Sequence, residues 1–194
     1  MLKDLDFKNN IEANPMIIAI IDDKTYEYAM NSKHRVVFLL DASLSNLRER
    51  VNKLLDKDKI VFIHIDMVSG LTSSNTVVDF IADIFKSKVG IITTKHTLIR
   101  RANQKGIHSI YRGFMVDSRS KSIFKENLKS GIRPDAIEIM PAFLEKVIRE
   151  ITEEFPNIIL IAGGLISQRK EIYSILNSGA SAVSTSNLEL LKEE

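Results

Sequence analysis

The chain has 194 residues, of which 44% are hydrophobic and 27% are charged, with a net charge of +2 and no cysteine. This length suits a single domain with a sizeable core, and the composition excludes a wholly disordered or fibrous chain. Without cysteine, the chain cannot form disulfides, Cys-ligated zinc sites, iron–sulfur clusters or a thiol nucleophile. The first residues do not resemble a signal peptide, and no apolar run reaches the roughly 18 residues of a membrane span. We therefore expect a soluble cytoplasmic protein with no membrane partner.

The net charge hides an uneven distribution along the chain. Residues 86–133 include twelve Lys and Arg residues but two acidic residues, so this segment is strongly basic and the remainder is acidic. Two interpretations are compatible with this asymmetry. It favours a polyanionic partner such as a nucleic acid, and it is also the pattern of a basic surface that is simply exposed to solvent.

Strands are predicted by short runs rich in β-branched residues that recur at even intervals. Several runs are apolar on both faces, as expected of strands buried in a parallel sheet. In chain order, the predicted strands are 15–20, 35–40, 60–66, 89–94, 108–114, 136–141, 158–163 and 182–186. Between them, apolar residues at helical spacing predict helices that include 44–55, 77–85 and 143–151.

Helix boundaries agree with this alternation. Ser43 and Ser167 are predicted N-caps, and Gly106 and Gly179 are predicted to lie just past helix C-termini. Because strands and helices alternate eight times, the sequence predicts an α/β fold, a compact single-domain (β/α)8 TIM barrel. The predicted domain spans residues 1–194, with 1–14 as an N-terminal lead-in.

Two loops after the last two strands predict a phosphate site. Gly163 and Gly164 stand where a strand turns toward a helix, so the backbone there can approach an anion closely and offer N–H groups. Thr185 and Ser186 end the next strand with small hydroxyls. Many barrels build a phosphate site from the loops after strands seven and eight. The alternative is that the glycines form only a tight turn and that Ser186 or Asn187 is only a helix N-cap.

Charged residues also lie near predicted strand ends. Glu138 interrupts an apolar strand, and a buried carboxylate needs a cation or several hydrogen-bond donors. Arg112 and Lys95 are the candidate cations, in a pair that is either structural or catalytic. His64 and Asp66 share one face of a strand, where His64 is predicted to be a hydrogen-bonded core residue. No metal site is predicted.

Basic residues cluster on the helices that follow the fourth and fifth predicted strands. Adjacent barrel helices join such residues into one exterior surface, for which a nucleic-acid backbone is the natural partner and where binding weakens as salt rises. The residues predicted to bind RNA, which we call the basic arc, are Arg100, Arg101, Lys105, Arg119, Lys121 and Lys125. A solvated basic face is the alternative.

Six ordered motifs carry a resemblance to a known family. They are FIHIDMVSG at 62–70, GIITTKHTLIRRANQKGI at 90–107, YRGFMVDS at 111–118, RPDAIEIMP at 133–141, IAGGLIS at 161–167 and GASAVSTSN at 179–187. Together they resemble the glycerol-3-phosphate-responsive antiterminator family of bacterial glycerol-uptake operons. The resemblance covers almost the whole chain from Asn14 onward.

This resemblance implies a (β/α)8 barrel without established enzymatic activity, which binds glycerol 3-phosphate and then acts on the leader mRNA of glycerol operons. The implied ligand residues are Gly163, Gly164, Thr185 and Ser186 at the phosphate, and Asp66, Lys95, Arg112 and Glu138 near the glycerol hydroxyls. No cofactor is implied, and a homo-oligomer is compatible with the sequence. The chain departs from the family pattern in having Lys95 where Arg is usual and Ala142 where Gly is usual.

Two other functions stay open at this point. A phosphosugar isomerase or aldolase would use Glu138 or Asp66 as a general base and Lys95 as an electrostatic stabiliser or imine former. A metabolite-binding protein with a protein partner would need no RNA and no free basic surface.

Overall fold

The computed structural model describes residues 7–192, with the exception of the Ser87 side chain. Its strands are β1 (Met16–Ile20), β2 (Val36–Leu39), β3 (Ile60–His64), β4 (Val89–Thr93), β5 (His108–Phe114), β6 (Ala136–Met140), β7 (Ile159–Gly163) and β8 (Ala182–Thr185). Each strand pairs in parallel with the next, and β8 pairs with β1, so the sheet closes into a barrel. The eight predicted strands and the predicted (β/α)8 TIM barrel are confirmed.

Helices surround the barrel and connect its strands. They are α1 (Phe7–Ala13), α2 (Asp23–Asn31), α3 (Leu47–Leu55), α4 (Asn75–Phe85), α5 (His96–Lys105), α6 (Ser118–Lys129), α7 (Glu145–Glu154), α8 (Arg169–Asn177) and α9 (Leu188–Leu191). The helices predicted around 44–55, 77–85 and 143–151 correspond to α3, α4 and α7. Within residues 7–192, no helix combines the length and the apolar content that crossing a membrane requires.

Apolar side chains pack on both sides of the sheet. Every residue of β2, β3 and β4 is buried, which explains why these runs show no alternation in the sequence. Outside the barrel, strand residues pack against the helices, for example against Val51 and Leu54 of α3. Inside, a second cluster that includes Ile17, Phe38 and Phe62 fills the barrel.

Helix α1 lies against this inner cluster and precedes the first strand. Its Phe7 and Ile11 are buried, and the Phe7 ring centroid lies 4.9 Å from that of Phe62. The predicted lead-in at 1–14 therefore contains a helix that packs on the barrel, while its residues 1–6 lie outside the described residues. Phe7 and Ile11 belong to the inner cluster together with the first residues of β2, β3, β6 and β8, so α1 covers the end of the barrel at which the strands begin.

The two predicted N-caps are wrong by one to three residues. Helix α3 follows Asn46, whose Oδ1 accepts a hydrogen bond from the Ser43 N–H at 2.8 Å. Helix α8 follows Gln168, and Glu171 in its first turn accepts hydrogen bonds from the N–H groups of Ser167 and Gln168. In both places the predicted serine donates its N–H to the helix start instead of capping it with its hydroxyl.

The two predicted helix ends are confirmed. Gly106 directly follows α5 with φ of 65°, and its N–H donates to the carbonyls of Ala102 and Asn103. Gly179 follows the α8 cap residue Ser178 with φ of 109°. Both glycines adopt the left-handed backbone that residues with a Cβ rarely adopt, and this stops each helix where the chain turns back toward the barrel.

Candidate ligand site at the barrel mouth

A cavity of about 330 Å³ opens at the mouth of the barrel, where the strands end. Sites of barrel proteins are built at this face because the loops that follow all the strands converge there. The cavity is lined by Ala19, Ile21, Leu40, Arg112, Glu138, Met140, Gly164, Leu165, Ile166, Ser184, Thr185, Ser186 and Asn187. Five of the eight predicted ligand residues line it, namely Arg112, Glu138, Gly164, Thr185 and Ser186.

A buried ion pair lies on the barrel side of this cavity. The pairing of β5 with β6 sets Arg112 opposite Glu138, and the Arg112 Nε donates to the Glu138 Oε2 at 2.5 Å. The Ser184 hydroxyl donates to the Glu138 Oε1 at 2.6 Å. Both carboxylate oxygens are therefore engaged, as a fully buried charge requires.

Gly163 leaves the space that this network occupies. A Cβ at this position would lie 2.2 Å from the Ser184 Oγ and 2.8 Å from the Glu138 Oε1. Gly163 is a predicted ligand contact, but it does not line the cavity and lies behind the cavity wall. Its small size lets β7 and β8 bring the serine and the carboxylate together.

Several hydrogen-bond donors around the cavity have no acceptor in the described part of the chain. The N–H groups of Gly164, Leu165 and Ile166 donate to no atom of residues 7–192, and the same holds for the N–H and the hydroxyl of Ser186. Only the Nε of Arg112 is engaged, so its terminal Nη groups also lack an acceptor within residues 7–192. Unengaged N–H groups beside a guanidinium are the donors with which proteins bind phosphate.

The loop after β7 carries these N–H groups on an unusual backbone. Gly164 and Leu165 both have positive φ, at 82° and 62°. The Leu165 side chain is 78% exposed at the edge of the cavity. A left-handed residue with a Cβ costs about 1 kcal/mol, and such strain is found preferentially in ligand-binding loops.

In the loop after β8, some polar groups form hydrogen bonds that hold the loop and others face the cavity. The Thr185 Oγ1 accepts from the Asn187 N–H at 3.1 Å, and the Asn187 Oδ1 accepts from the Glu189 N–H at 3.1 Å. Asn187 is therefore the N-cap of α9, which is the alternative that the sequence offered for it. Ser186 caps no helix within residues 7–192.

Asp66 and Lys95 do not line the cavity. Asp66 accepts hydrogen bonds from the Thr94 N–H at 2.7 Å and from the Thr93 hydroxyl, and so fixes the turn between β4 and α5. Burial raises the pKa of Asp66, but the hydrogen bonds from Thr94, Ser73 and Thr93 outweigh it and lower the pKa. Lys95 is exposed, and its Nζ donates to the Ser73 carbonyl at 3.2 Å.

His64 occupies the predicted core position on β3, where it is 3% exposed. Its Nδ1 is buried and has no hydrogen-bond partner among the described residues, so the predicted hydrogen bond is absent at this nitrogen. Burial and the positive charge of Arg112 lower the pKa of His64 to about 4, against the opposing effect of Asp66. The imidazole is therefore neutral at neutral pH. No group of His, Asp and Glu within residues 7–192 could hold a metal ion.

The α5 half of the basic arc is partly neutralised by α4. Arg101 donates from Nε and Nη2 to the two carboxylate oxygens of Asp79, both at 2.8 Å. The Lys105 Nζ lies 3.5 Å from the same carboxylate. Arg100 is exposed and forms no ion pair within the described chain.

The α6 half is neutralised by α7. The Lys121 Nζ lies 2.6 Å from Glu150, and the Lys125 Nζ lies 2.9 Å from Glu150 and 2.5 Å from Glu154. The hydrogen bonds from Lys121 and Lys125 lower the pKa of Glu150 to about 2. Arg119 is exposed and unpaired among the described residues. Four of the six arc residues are thus held in ion pairs, which sequence analysis missed because the acidic partners lie on neighbouring helices.

Sequence analysis also missed the apolar wall of the cavity and Ser184. Ala19, Leu40 and Met140 lie at strand ends among other apolar residues, so nothing marks them as ligand contacts. Ser184 lies inside the run STSN, and the period of two along a strand would have placed it on the same side as Ser186.

Comparisons with known proteins agree with this architecture. Residues 16–191 match the family model described as glycerol-3-phosphate responsive antiterminator. The YgcP protein of Escherichia coli (strain K12) is 32% identical over 178 residues, which cover 91% of each chain.

Two solved structures are also similar. The glycerol uptake operon antiterminator regulatory protein of Listeria monocytogenes str. 4b F2365 superposes with a TM-score of 0.87 at 28% identity, over 93% of this chain and 96% of its own. A glycerol uptake operon antiterminator-related protein of Thermotoga maritima MSB8 gives a TM-score of 0.79 at 30% identity, over 92% of this chain and 98% of its own. With its barrel, its mouth cavity and a family match from the first strand to the last helix, this chain belongs to the glycerol-3-phosphate-responsive antiterminator family.

Proposed function

We propose that this protein is a ligand-responsive transcription antiterminator, which binds glycerol 3-phosphate in the mouth cavity and then acts on the leader mRNA of glycerol-utilisation genes in the cytoplasm. The observation that carries the proposal is the set of unengaged donors around the cavity, from Gly164 to Ile166, at Ser186 and on Arg112. The family to which the chain belongs supports the same ligand.

The cavity offers a polar side and an apolar side, as a phosphorylated three-carbon compound requires. In our proposal, the free N–H groups of Gly164 and Leu165 and the Ser186 hydroxyl bind the phosphate oxygens. The Arg112 Nη groups supply positive charge, while Ala19 and Leu40 contact the carbon skeleton. Glu138 orients the guanidinium, and Thr185 orders the loop.

A regulatory role without catalysis fits the same geometry. Both oxygens of Glu138 already accept hydrogen bonds from Arg112 and Ser184, so this carboxylate is poorly placed to accept a proton from a ligand. The Lys95 amine lies outside the cavity on a backbone carbonyl. These positions support the antiterminator over an isomerase or aldolase.

Isothermal titration calorimetry with glycerol 3-phosphate tests the ligand, with glycerol and inorganic phosphate as comparison compounds. We expect binding of glycerol 3-phosphate and much weaker binding of the other two, because each supplies only half of the contacts. Ser186→Ala should weaken binding roughly 10- to 100-fold, as expected for one hydrogen bond to a charged group. Ser122→Ala on the exposed side of α6 is the matched control and should leave the affinity unchanged. If Ser186→Ala and the wild type bind glycerol 3-phosphate with equal affinity, the Ser186 hydroxyl does not contact the phosphate, and the proposed phosphate contacts are wrong.

Gel-shift titration of a glycerol-operon leader transcript tests whether the protein binds the leader mRNA. A ligand shifts a conformational equilibrium only by its different affinities for the two states, so RNA binding should tighten when glycerol 3-phosphate is present. Folded protein that binds glycerol 3-phosphate but shows no shift at low salt would exclude RNA as the target and favour a protein partner.

A further inference from the structure

Exposed apolar side chains concentrate at the mouth of the barrel. Among the described residues, nine large hydrophobic side chains are exposed, and seven of them lie in or beside the loops that follow strands. These seven are Ile21, Leu44, Met67, Phe114, Val116, Phe143 and Leu165. Contiguous exposed apolar surface is typical of interaction sites, so this end of the molecule is the first candidate for one.

One sector of this rim also carries unpaired cations. It follows β5, β6 and β7, and we define the rim sector as Phe114, Arg119, Phe143, Lys146, Leu165 and Lys170. Its two aromatic rings are 52% and 59% exposed. Its three cations lie in the first turns of α6, α7 and α8, and within the described chain none forms an ion pair.

The acidic side chains near the rim sector already have local partners. Asp117 caps α6 by accepting from the Ser120 N–H, Glu145 pairs with Arg149, and Glu171 accepts from N–H groups at the start of α8. The opposite half of the mouth carries three acids after β1 and β2, namely Asp22, Asp23 and Asp41, against the cation Arg50 that pairs with Asp23 and Asp41. The mouth thus has an acidic side and a side of exposed rings and free cations.

We propose that the leader RNA binds as a single strand across the rim sector, with its bases on Phe114 and Phe143 and its phosphates beside Arg119, Lys146 and Lys170. This proposal rests on the proposed function and names the surface at which the RNA would bind. Aromatic platforms that alternate with cations are the chemistry of single-stranded nucleic-acid binding, since every base can stack and every phosphate needs a counter-charge.

The outer basic arc fits RNA less well. Phosphates would have to compete there with Asp79, Glu150 and Glu154, which hold four of the six arc cations. A second copy of the chain also fits the rim sector less well than RNA does, because a two-fold contact would bring unpaired cations of both copies together. The rim sector borders the ligand cavity through Leu165, so RNA and ligand would meet there.

Fluorescence anisotropy with a labelled leader transcript, in the presence of glycerol 3-phosphate, compares two variants that each lose two cations. Arg119→Ala/Lys146→Ala should lower affinity about tenfold and reduce the slope of log affinity against log salt by roughly 1.4. The matched variant Arg100→Ala/Lys121→Ala in the arc should stay within about twofold of the wild type. Phe143→Ala should lower affinity about 5- to 100-fold with an unchanged salt slope, because stacking is not ionic.

Calorimetry with glycerol 3-phosphate accompanies each variant and shows that it is folded and binds ligand. A loss of RNA binding in the arc variant but not in the rim variants would overturn the rim proposal and leave the proposed function intact. Failure of the wild type to bind the transcript would instead refute the proposed function. Sedimentation that shows a wild-type dimer and a monomeric Phe143→Ala variant would identify the rim sector as a contact between copies and overturn the proposal.

Discussion

Gly163 shows how one missing side chain shapes the site. Gly163→Ala would push against the Ser184 Oγ and the Glu138 Oε1. We expect unfolding free energy to fall by about 2 to 3 kcal/mol, through overpacking and the loss of a buried hydrogen bond, and ligand affinity to fall at least tenfold. Gly131→Ala is the control, since a Cβ there meets no atom within 4 Å and only its φ of 89° is strained. Urea denaturation and calorimetry would measure both, and unchanged ligand affinity in Gly163→Ala would contradict this role.

His64 makes stability depend on pH. Its pKa is lowered from 6.5 to about 4 by burial and by Arg112, so between these values the unfolded chain binds a proton that the folded protein does not. Stability is therefore fully present above about pH 6.5 and is lost as pH falls toward 4, by about 3 kcal/mol from this group. Urea denaturation from pH 7 to 4 measures the unfolding free energy of the wild type and of His64→Gln. We expect the wild type to lose more stability than the variant as pH falls, and an equal pH dependence in the two proteins would contradict the role of His64.

At the residue scale, the sequence identifies the cavity only where chemistry is unusual in its local context. A carboxylate within an apolar strand identifies Glu138, and paired glycines identify the loop at Gly164. Asp66 and Lys95 are also charged residues at strand ends, but the turn after β4 holds the Asp66 side chain and the Ser73 carbonyl, just before α4, holds that of Lys95. The direction of a side chain at a strand end depends on such neighbours, which a single strand does not reveal.

At the element scale, the helices α6 and α7 are joined by a chain of ion pairs from Lys121 to Lys129. Glu150→Gln should lower unfolding free energy by less than about 1 kcal/mol, since exposed pairs are screened by solvent. The difference from wild type should vanish at about 1 M salt, where the Debye length is about 3 Å. Chemical denaturation at low and high salt measures this. Glu153→Gln, one position from this network on the same helix, is the control, and an equal loss in that variant would refute the network.

The elements themselves were predictable because their signals are strong. Several strands are short apolar runs that must be buried on both faces, and their alternation with helices predicts a parallel barrel. The N-caps were less predictable. Serine is a preferred N-cap residue, which favoured Ser43 and Ser167, but the residues at the N-cap positions of α3 and α8 are Asn46 and Gln168. The N-terminal helix was missed, since its burial depends on the barrel that it covers.

At the scale of the whole molecule, the two ends of the barrel differ. Phe7→Ala would remove the ring that packs on Phe62 and should lower unfolding free energy by about 3 kcal/mol, as other buried phenylalanines do. Ligand affinity should not change, because α1 lies at the end away from the cavity. Urea denaturation and calorimetry measure the two quantities. A fall in ligand affinity with unchanged stability would contradict this assignment.

Because α1 covers one end of the barrel, the rate of ligand exchange depends on access at the mouth. In the part of the chain that the structure describes, α1 lies at one end of the barrel and an apolar layer that includes Phe38 and Phe62 fills its interior, so a ligand reaches the cavity through the mouth. A strand of RNA on the rim sector, which borders the cavity through Leu165, would narrow that exit. Ligand release would then be slower while the transcript is bound, so the protein would respond to a falling metabolite level with a delay set by the residence time of the RNA.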